Sequence, residues 1–411
     1  MYNLALNEAI PGTWKTNYND WGPRVGFSWG LMKNTVIRGG YGIYYSPIMY
    51  NNLQFELLYS PNFNTESTNF NIASPAKIEN LFTTTSLAST GYGITKTLKD
   101  LSADEWNLNI ERTLNDNTLL TVAYIGDVTR HLSARADSNQ AYALSPGNTS
   151  GVLDVVPQPL AVPQQTQVNG YTSNYNALAV SLQRRYASGL QFLLSYTWSK
   201  AMDIVDGDNT DIENYYNPRV TYSPATFDRT HNAQFSGIYD LPFGPGRRFM
   251  NQRGLLNTEV LGGWQLSFLQ QLATGQPNSI YSNDNADTSG SVDNAYAIET
   301  CNPQSGFTKS RFLLFNPACF AQEPAGVYGT ARNVSAARDP GLSPTNLSLF
   351  KSFTTFREQS LQLRVDAFSV FNHPVLGTSY LAGNAGSSSL GVPNYESSGL
   401  RSLQVSLKYQ F

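Results

Sequence analysis

The chain has 411 residues, a formal net charge of -3, 14% charged residues, 12% aromatic residues and two cysteines. No run approaches the roughly 18–20 unbroken apolar residues of a transmembrane helix, so a helical membrane protein is excluded; abundant aromatics argue against disorder, and the balance of Gly and Pro against a collagen-like chain. Slight acidity gives no footprint for nucleic acid, and low charge with much Tyr, Phe, Ser, Thr and Asn leaves an all-β protein, with a membrane barrel as one form of it.

The elements come as pairs of period-2 runs, the mark of strands. The first pair is predicted at Arg24–Leu31 and Thr35–Tyr45, around Met32-Lys33-Asn34, with Val25, Phe27, Trp29 and Leu31 on one face. The second is Glu105–Arg112 and Thr118–Ile125, turning at Leu114–Asn117. The third is Tyr175–Arg185 and Leu190–Lys200, turning at Ala187-Ser188-Gly189; Leu190, Phe192, Leu194, Tyr196 and Trp198 share a face. The fourth is Ala233–Leu241 and Gly263–Thr274, with a longer link through Pro242–Gly246. The fifth is Asn346–Phe353 and Ser360–Phe371, and Leu403–Phe411 stands alone at the end.

That makes about eleven strands. The connections alternate between short turns and long polar segments, near residues 46–104, 126–174, 200–231, 275–345 and 372–400. Long unstructured connections are unusual in a compact soluble domain. Short periplasmic turns alternating with long extracellular loops are the pattern of an antiparallel outer-membrane barrel. Only helices and closed barrels pair every backbone group inside lipid. A soluble sandwich would bury the apolar faces in a core; a barrel turns them to lipid and lines a wet lumen with the polar ones. Trp29, Tyr44, Tyr45, Trp106, Tyr124, Tyr196, Trp198, Tyr239, Trp264, Tyr409 and Phe411 lie near strand ends, as aromatic girdles would place them.

Several constellations carry chemistry or pairing. Gly26-Phe-Ser28-Trp-Gly30 has the G-x-S-x-G spacing of a hydrolase nucleophile, but that motif needs a strand leading into a helix, and here a turn and a strand follow. His131, His231 and His373 fall at strand–loop edges and read as surface histidines. Asp203, Asp206, Asp208, Asp211 and Glu213 crowd one loop. Oxygen-rich loops hold calcium, but the spacing is not an EF-hand's, and a solvated acidic loop is the preferred reading. Cys301 and Cys319 share one long loop, and an oxidising exterior predicts that they pair. Arg38, Glu111, Arg364 and Asp366 lie on the polar faces and are predicted to face the lumen. No cofactor and no covalent catalysis are predicted.

Leu403, Val405, Leu407, Tyr409 and Phe411 alternate with polar residues, and the sequence stops at an aromatic residue. This resembles the C-terminal signal by which bacterial outer-membrane barrels engage the barrel-assembly machinery. Longer stretches resemble TonB-dependent receptors of the Oar-like type, common in Acidobacteria. They are Asp20–Trp29 with Thr35–Tyr44, Trp106–Arg112, Ala123–Gly126 with His131-Leu132, Phe227–His231, Leu241–Gly244, Phe315–Ala318 with Phe320, and Leu363–Pro374.

The resemblance implies a barrel of about 22 strands, of which residues 1–411 would be the C-terminal half, in the outer membrane of a Gram-negative bacterium. It implies uptake of a bulky ligand, a glycan, an iron chelate or a peptide. Coupling to the TonB complex would fall to an N-terminal part not found in residues 1–411, along with the signal peptide, carboxypeptidase-regulatory-like domain and plug. The lumen charges would pair with each other, with water or with that plug. Alternatives are a non-transporting adhesion barrel, a gene fragment without function, and an outer-membrane Ser/His hydrolase. An isolated half-barrel is expected as an open sheet with two bare edges, prone to aggregation or dimer closure.

Overall fold

The computed structural model describes residues 2–3, 8–9, 17–47, 91–94, 98–148, 155–157, 164–207, 211–282, 295–310, 313–324, 326–355, 359–373, 375–377 and 383–411. Eleven strands follow one another in sequence order through one sheet, and three short strands pair with it off that path. They are β1 (Arg24–Met32), β2 (Thr35–Ser46), β3 (Leu101–Asn115), β4 (Thr118–Asp137), β5 (Gln164–Ala187) and β6 (Leu190–Asp203). Then follow β7 (His231–Asp240), β8 (Gln265–Ala273), β9 (Thr345–Thr354), β10 (Ser360–Phe368) and β11 (Ser402–Gln410). Each strand is antiparallel to the next. Among the described residues β1 and β11 have a strand neighbour on one side only, so the sheet is open. No helix among these residues is long and apolar enough to cross a membrane.

Each predicted run overlaps one of these strands. The turns between them are tight because their residues suit the sharp reversal. Ser188 and Gly189 between β5 and β6 both have positive φ, 53° and 79°, the backbone that a two-residue hairpin with the native twist demands. β10 ends three residues before its predicted limit because Ser369 takes φ 45° and breaks the ladder. In the other direction, β4 and β5 reach 20 and 24 residues. A tilted strand needs about 9–11 to cross a bilayer. Their outer thirds rise past the membrane at the loop end, where a register shift at His131 interrupts the alternation and burial comes from a distant connection, so the sequence there reads as loop.

Register sorts the residues by face. Ile37, Ile110, Val122, Val180, Tyr196, Ala233 and Leu272 stand side by side across seven strands. One residue along, Glu111, Thr121, Ser181, Ser195, Gln234 and Gln271 make an equally continuous polar row on the other face. Among the described residues most of the apolar face has no protein packed over it: Phe27, Trp198 and Leu407 remain 56%, 55% and 65% exposed. A soluble protein rarely leaves so much apolar surface contiguous and open. On this face Gly126 lies beneath the Trp106 ring, where a Cβ would come within 2.2 Å of it. The ring covers the bare backbone that a glycine would otherwise show to lipid.

Candidate functional site

Protein packing concentrates at the loop end rather than in the sheet. One buried cluster joins the β8–β9 and β10–β11 connections: Ile280, Ala297, Phe315, Phe320, Val334 and Leu390 are among its members. A second gathers Ala134 and Ala136 of β4, Tyr171 of β5, and Ile204, Val205 and Ile212 of the β6–β7 connection. Short strands tie these connections to the wall, as where Asp211–Ile212 pairs parallel with β4 and Ser223–Pro224 pairs with β6. The connections thus build a packed cap over the loop end of the barrel wall.

Arg332 holds the two halves of the cap together. Its Nη2 donates to Asp203 Oδ1 at 2.9 Å and Asp206 Oδ2 at 2.5 Å. Its Nη1 donates to the carbonyls of Asp203 and Thr221, both at 3.1 Å, and to Ser223 Oγ at 2.9 Å. The side chains of Arg332 and Asp203 are 2% and 3% exposed. Arg338 repeats the scheme with Asp228, at 2.7 Å, whose other oxygen accepts the Ala201 N–H at 2.9 Å. Gly329 N–H donates to Glu213 Oε1 at 3.0 Å, while Gln140 Nε2 donates to the Glu213 carbonyl at 2.5 Å.

Asp203, Asp206 and Glu213 are therefore not a solvated acidic loop: the first two neutralise a buried arginine and the third binds backbone. Asp208 lies outside the described residues, and of Asp211 only the backbone pairing with β4 is described. Among the described residues no group of three or more His, Cys, Asp or Glu is placed to hold a metal ion.

Burial pushes the Asp203 carboxyl up to about 7, against the pull of Arg332 and with repulsion from Asp206. Burial likewise pushes Asp339 up to about 6, against the Asn278 amide and Arg229. Both folded values stand above the ordinary 3.8, so the folded cap holds these protons more tightly than the unfolded chain. Their contribution is greatest at acid pH and falls as pH rises from about 4 to 7. Cap amides, corrected for intrinsic exchange, are thus expected to exchange faster at pH 7.5 than at pH 5.5. Protection that rises with pH would contradict this.

Cys301 and Cys319 are joined by a disulfide with Cα atoms 4.9 Å apart. Cys319 is buried beside Phe320, and Asn316 caps the short 3-10 turn Pro317–Cys319 by accepting the Ala318 N–H at 3.1 Å. The bond closes a short loop across the first cluster, worth about 3 kcal/mol in the chain-entropy model. Reduction is expected to speed proteolysis near residues 300–320 while leaving strand circular dichroism unchanged. Full thiol labelling without reductant would show the bond absent.

The polar-face charges form two separate local pairs. Arg38 Nη1 donates to Glu111 Oε1 at 3.1 Å between β2 and β3. Arg364 Nε donates to both oxygens of Asp366, at 2.8 and 3.0 Å, along β10. Gly26–Gly30 lies wholly within β1, so Ser28 sits on no strand-to-helix elbow. His231 Nδ1 and the Tyr196 hydroxyl are 2.8 Å apart, and the ring of His373 neighbours Phe371. His131 takes φ 61° in a β4 irregularity. Leu403, Val405, Leu407, Tyr409 and Phe411 line the outer face of the edge strand β11, 50% to 99% exposed.

Arg332, Arg338, Asp228 and Gln140 were not singled out by sequence reasoning. Their partners lie far away in the chain, 110 residues in the case of Arg338 and Asp228. The one available signal was Phe227–His231, within which Asp228 proves to be the buried anchor.

The family model for the outer membrane beta barrel domain matches residues 5–404. No curated protein matches the sequence. Among solved structures, the outer membrane transporter YddB from Escherichia coli is 10% identical with a TM-score of 0.51, over 95% of this chain and 40% of that one. The siderophore receptor PirA from Acinetobacter baumannii is 13% identical with a TM-score of 0.48, over 95% of this chain and 41% of its own. BauA, the ferric preacinetobactin receptor of Acinetobacter baumannii, is 8% identical with a TM-score of 0.45, over 95% of this chain and 36% of its own. The chain spans about two fifths of the length of such structures. With a single antiparallel wall, one apolar and one polar face, and a family match over nearly all its length, the chain belongs to the outer membrane beta-barrel domain family and resides in the outer membrane.

Proposed function

We propose that this chain is the C-terminal part of the barrel of a TonB-dependent transporter, and that its cap collects a bulky ligand, a glycan, an iron chelate or a peptide. The observation that carries the reading is the packed cap. Two apolar clusters, a disulfide and the buried Arg332 node are more order than chain reversal alone requires, and loops held by a rigid scaffold are where binding residues gather. The fold shared with the transporter YddB supports it. In this reading Arg38, Glu111, Arg364 and Asp366 face a wet lumen, and β11 is handed to the assembly machinery by its aromatic end. Energy coupling belongs to a segment outside residues 1–411. Passage, not covalent chemistry, is the work.

The test is the reading frame upstream of Met1. It is expected to encode further strands, a plug and a TonB-contacting segment. A stop codon immediately upstream, with no such segments encoded nearby, would sink the transporter reading.

A further inference from the structure

The β7–β8 connection, residues 241–264, is the long one at the turn end, the end that faces the periplasm in outer-membrane barrels. Pro242, Gly244 and Phe249 close its first loop by backbone bonds: Phe249 N–H donates to the Pro242 carbonyl and Gly244 N–H to the Phe249 carbonyl. Gly244 then meets Gly262 so closely that a Cβ on either would come within 3.2 Å of the other's Cα. A short helical turn, Leu256–Leu261, follows.

Two side chains fix where that turn sits. Lys351 of β9 stands in the row of Leu363 and Leu407, on the apolar face. Its Nζ donates to the carbonyls of Thr258 and Glu259, at 3.1 and 2.5 Å, and the residue is 4% exposed. Trp264 Nε1 donates to the Val260 carbonyl at 2.8 Å. The helical turn therefore lies on the outside of the wall, covering a lysine that would otherwise point at lipid. Away from the wall it shows Leu255, Leu256, Val260 and Leu261, from 40% to 79% exposed. The same connection carries Arg247, Arg248 and Arg253 against the single acid Glu259.

We propose that residues 247–261 are an interfacial anchor that inserts Leu255, Leu256, Val260 and Leu261 into the periplasmic leaflet of the outer membrane, with Arg248 and Arg253 on anionic phospholipid headgroups. The inference rests on the barrel reading and extends it. Two features select lipid as the occupant: the patch continues the lipid-facing side of the wall, and its apolar residues lie beside a cationic cluster, the composition of a membrane-surface segment. Arg247 is engaged by Asp240 at 2.9 Å, which leaves Arg248 and Arg253 for headgroups.

The intact protein, with the complement that closes its sheet, is reconstituted in vesicles containing brominated phosphatidylglycerol. Leu256→Cys, or Leu194→Cys on the wall, carries an environment-sensitive fluorophore, attached without reductant. Bromolipid is expected to quench the Leu256 label at least half as strongly as the Leu194 label. Lys351→Met should reduce quenching at Leu256 and leave Leu194 unchanged. Quenching at Leu194 alone overturns the anchor and spares the barrel. Quenching at neither overturns both. Disulfide-linked dimers of unlabelled Leu256→Cys, with no quenching of the labelled form, would assign the patch to a second copy instead.

Discussion

Replacing Arg332 with methionine is expected to open the cap while sparing the wall. The substitution keeps most of the volume and removes the one charge that Asp203 and Asp206 share. It also strips hydrogen bonds from the carbonyls of Asp203 and Thr221. Breaking a buried ion pair from one side costs about 3–5 kcal/mol, because the remaining charge is left uncompensated. Asp203 lowers its own share of the loss by taking up a proton, since its carboxyl already sits near neutrality. That route is open at pH 5 and closing at pH 8, so the variant's defect should be deeper at the higher pH.

The readout is limited proteolysis and hydrogen exchange over residues 200–230 and 326–338, with strand content as the internal control. Arg332→Lys should recover only part of the loss, because an ammonium cannot match the forked contacts to two carboxylates and two carbonyls. Adding Asp203→Asn and Asp206→Asn to Arg332→Met should recover stability, since the stranded charges are gone. An Arg332→Met protein as protected as the parent at pH 8 would show that the two apolar clusters hold the cap without this node.

The wall was legible in the sequence because the bilayer imposes a local rule. Each strand must alternate, so Leu190, Phe192, Leu194, Tyr196 and Trp198 announce β6 without reference to any other part of the chain. Where the rule lapses, so does legibility. Beyond Ile125 the β4–β5 pair continues to Asp137 through a register shift at His131, and what buries Ala134 and Ala136 there comes from a distant connection, so nothing local distinguishes it from a loop.

The cap is hidden for a different reason: its logic is long-range. Asp203 and Asp206 look like a metal site or a solvated patch until Arg332 arrives from 129 and 126 residues away. Asn316 and Phe315, quoted in a family motif, turn out to cap a 3-10 turn and fill the first cluster. Their identities were visible and their roles were not, since roles here are set by packing between connections. The anchor at 247–261 was masked similarly. Its leucines follow no period of two, and Lys351 breaks the apolar alternation of β9 without showing what it holds.

The second large effect concerns the edges of the sheet. Produced alone, residues 1–411 are expected to give no monodisperse, heat-resistant monomer in detergent. Among the described residues β1 and β11, nine residues each, have no strand on their outer edge, and unpaired groups in lipid cost several kcal/mol apiece. Direction then decides what can close them. With eleven wall strands, each antiparallel to the next along the wall, the first and last run the same way. An antiparallel complement must therefore begin and end on strands of the opposite sense, so it contains an odd number of strands. A second copy in the same membrane orientation fails that condition: its β11 would meet β1 as a parallel pair, at two seams, and parallel pairing is the weaker arrangement. Aggregation is thus favoured over dimer closure. Supplying an odd-stranded complement in the same cell should convert the protein to a folded, heat-modifiable species in the outer membrane, whereas an even-stranded one should not. A stable homodimer formed by the chain alone, resistant to heat and urea, would show that parallel seams suffice and would overturn the argument.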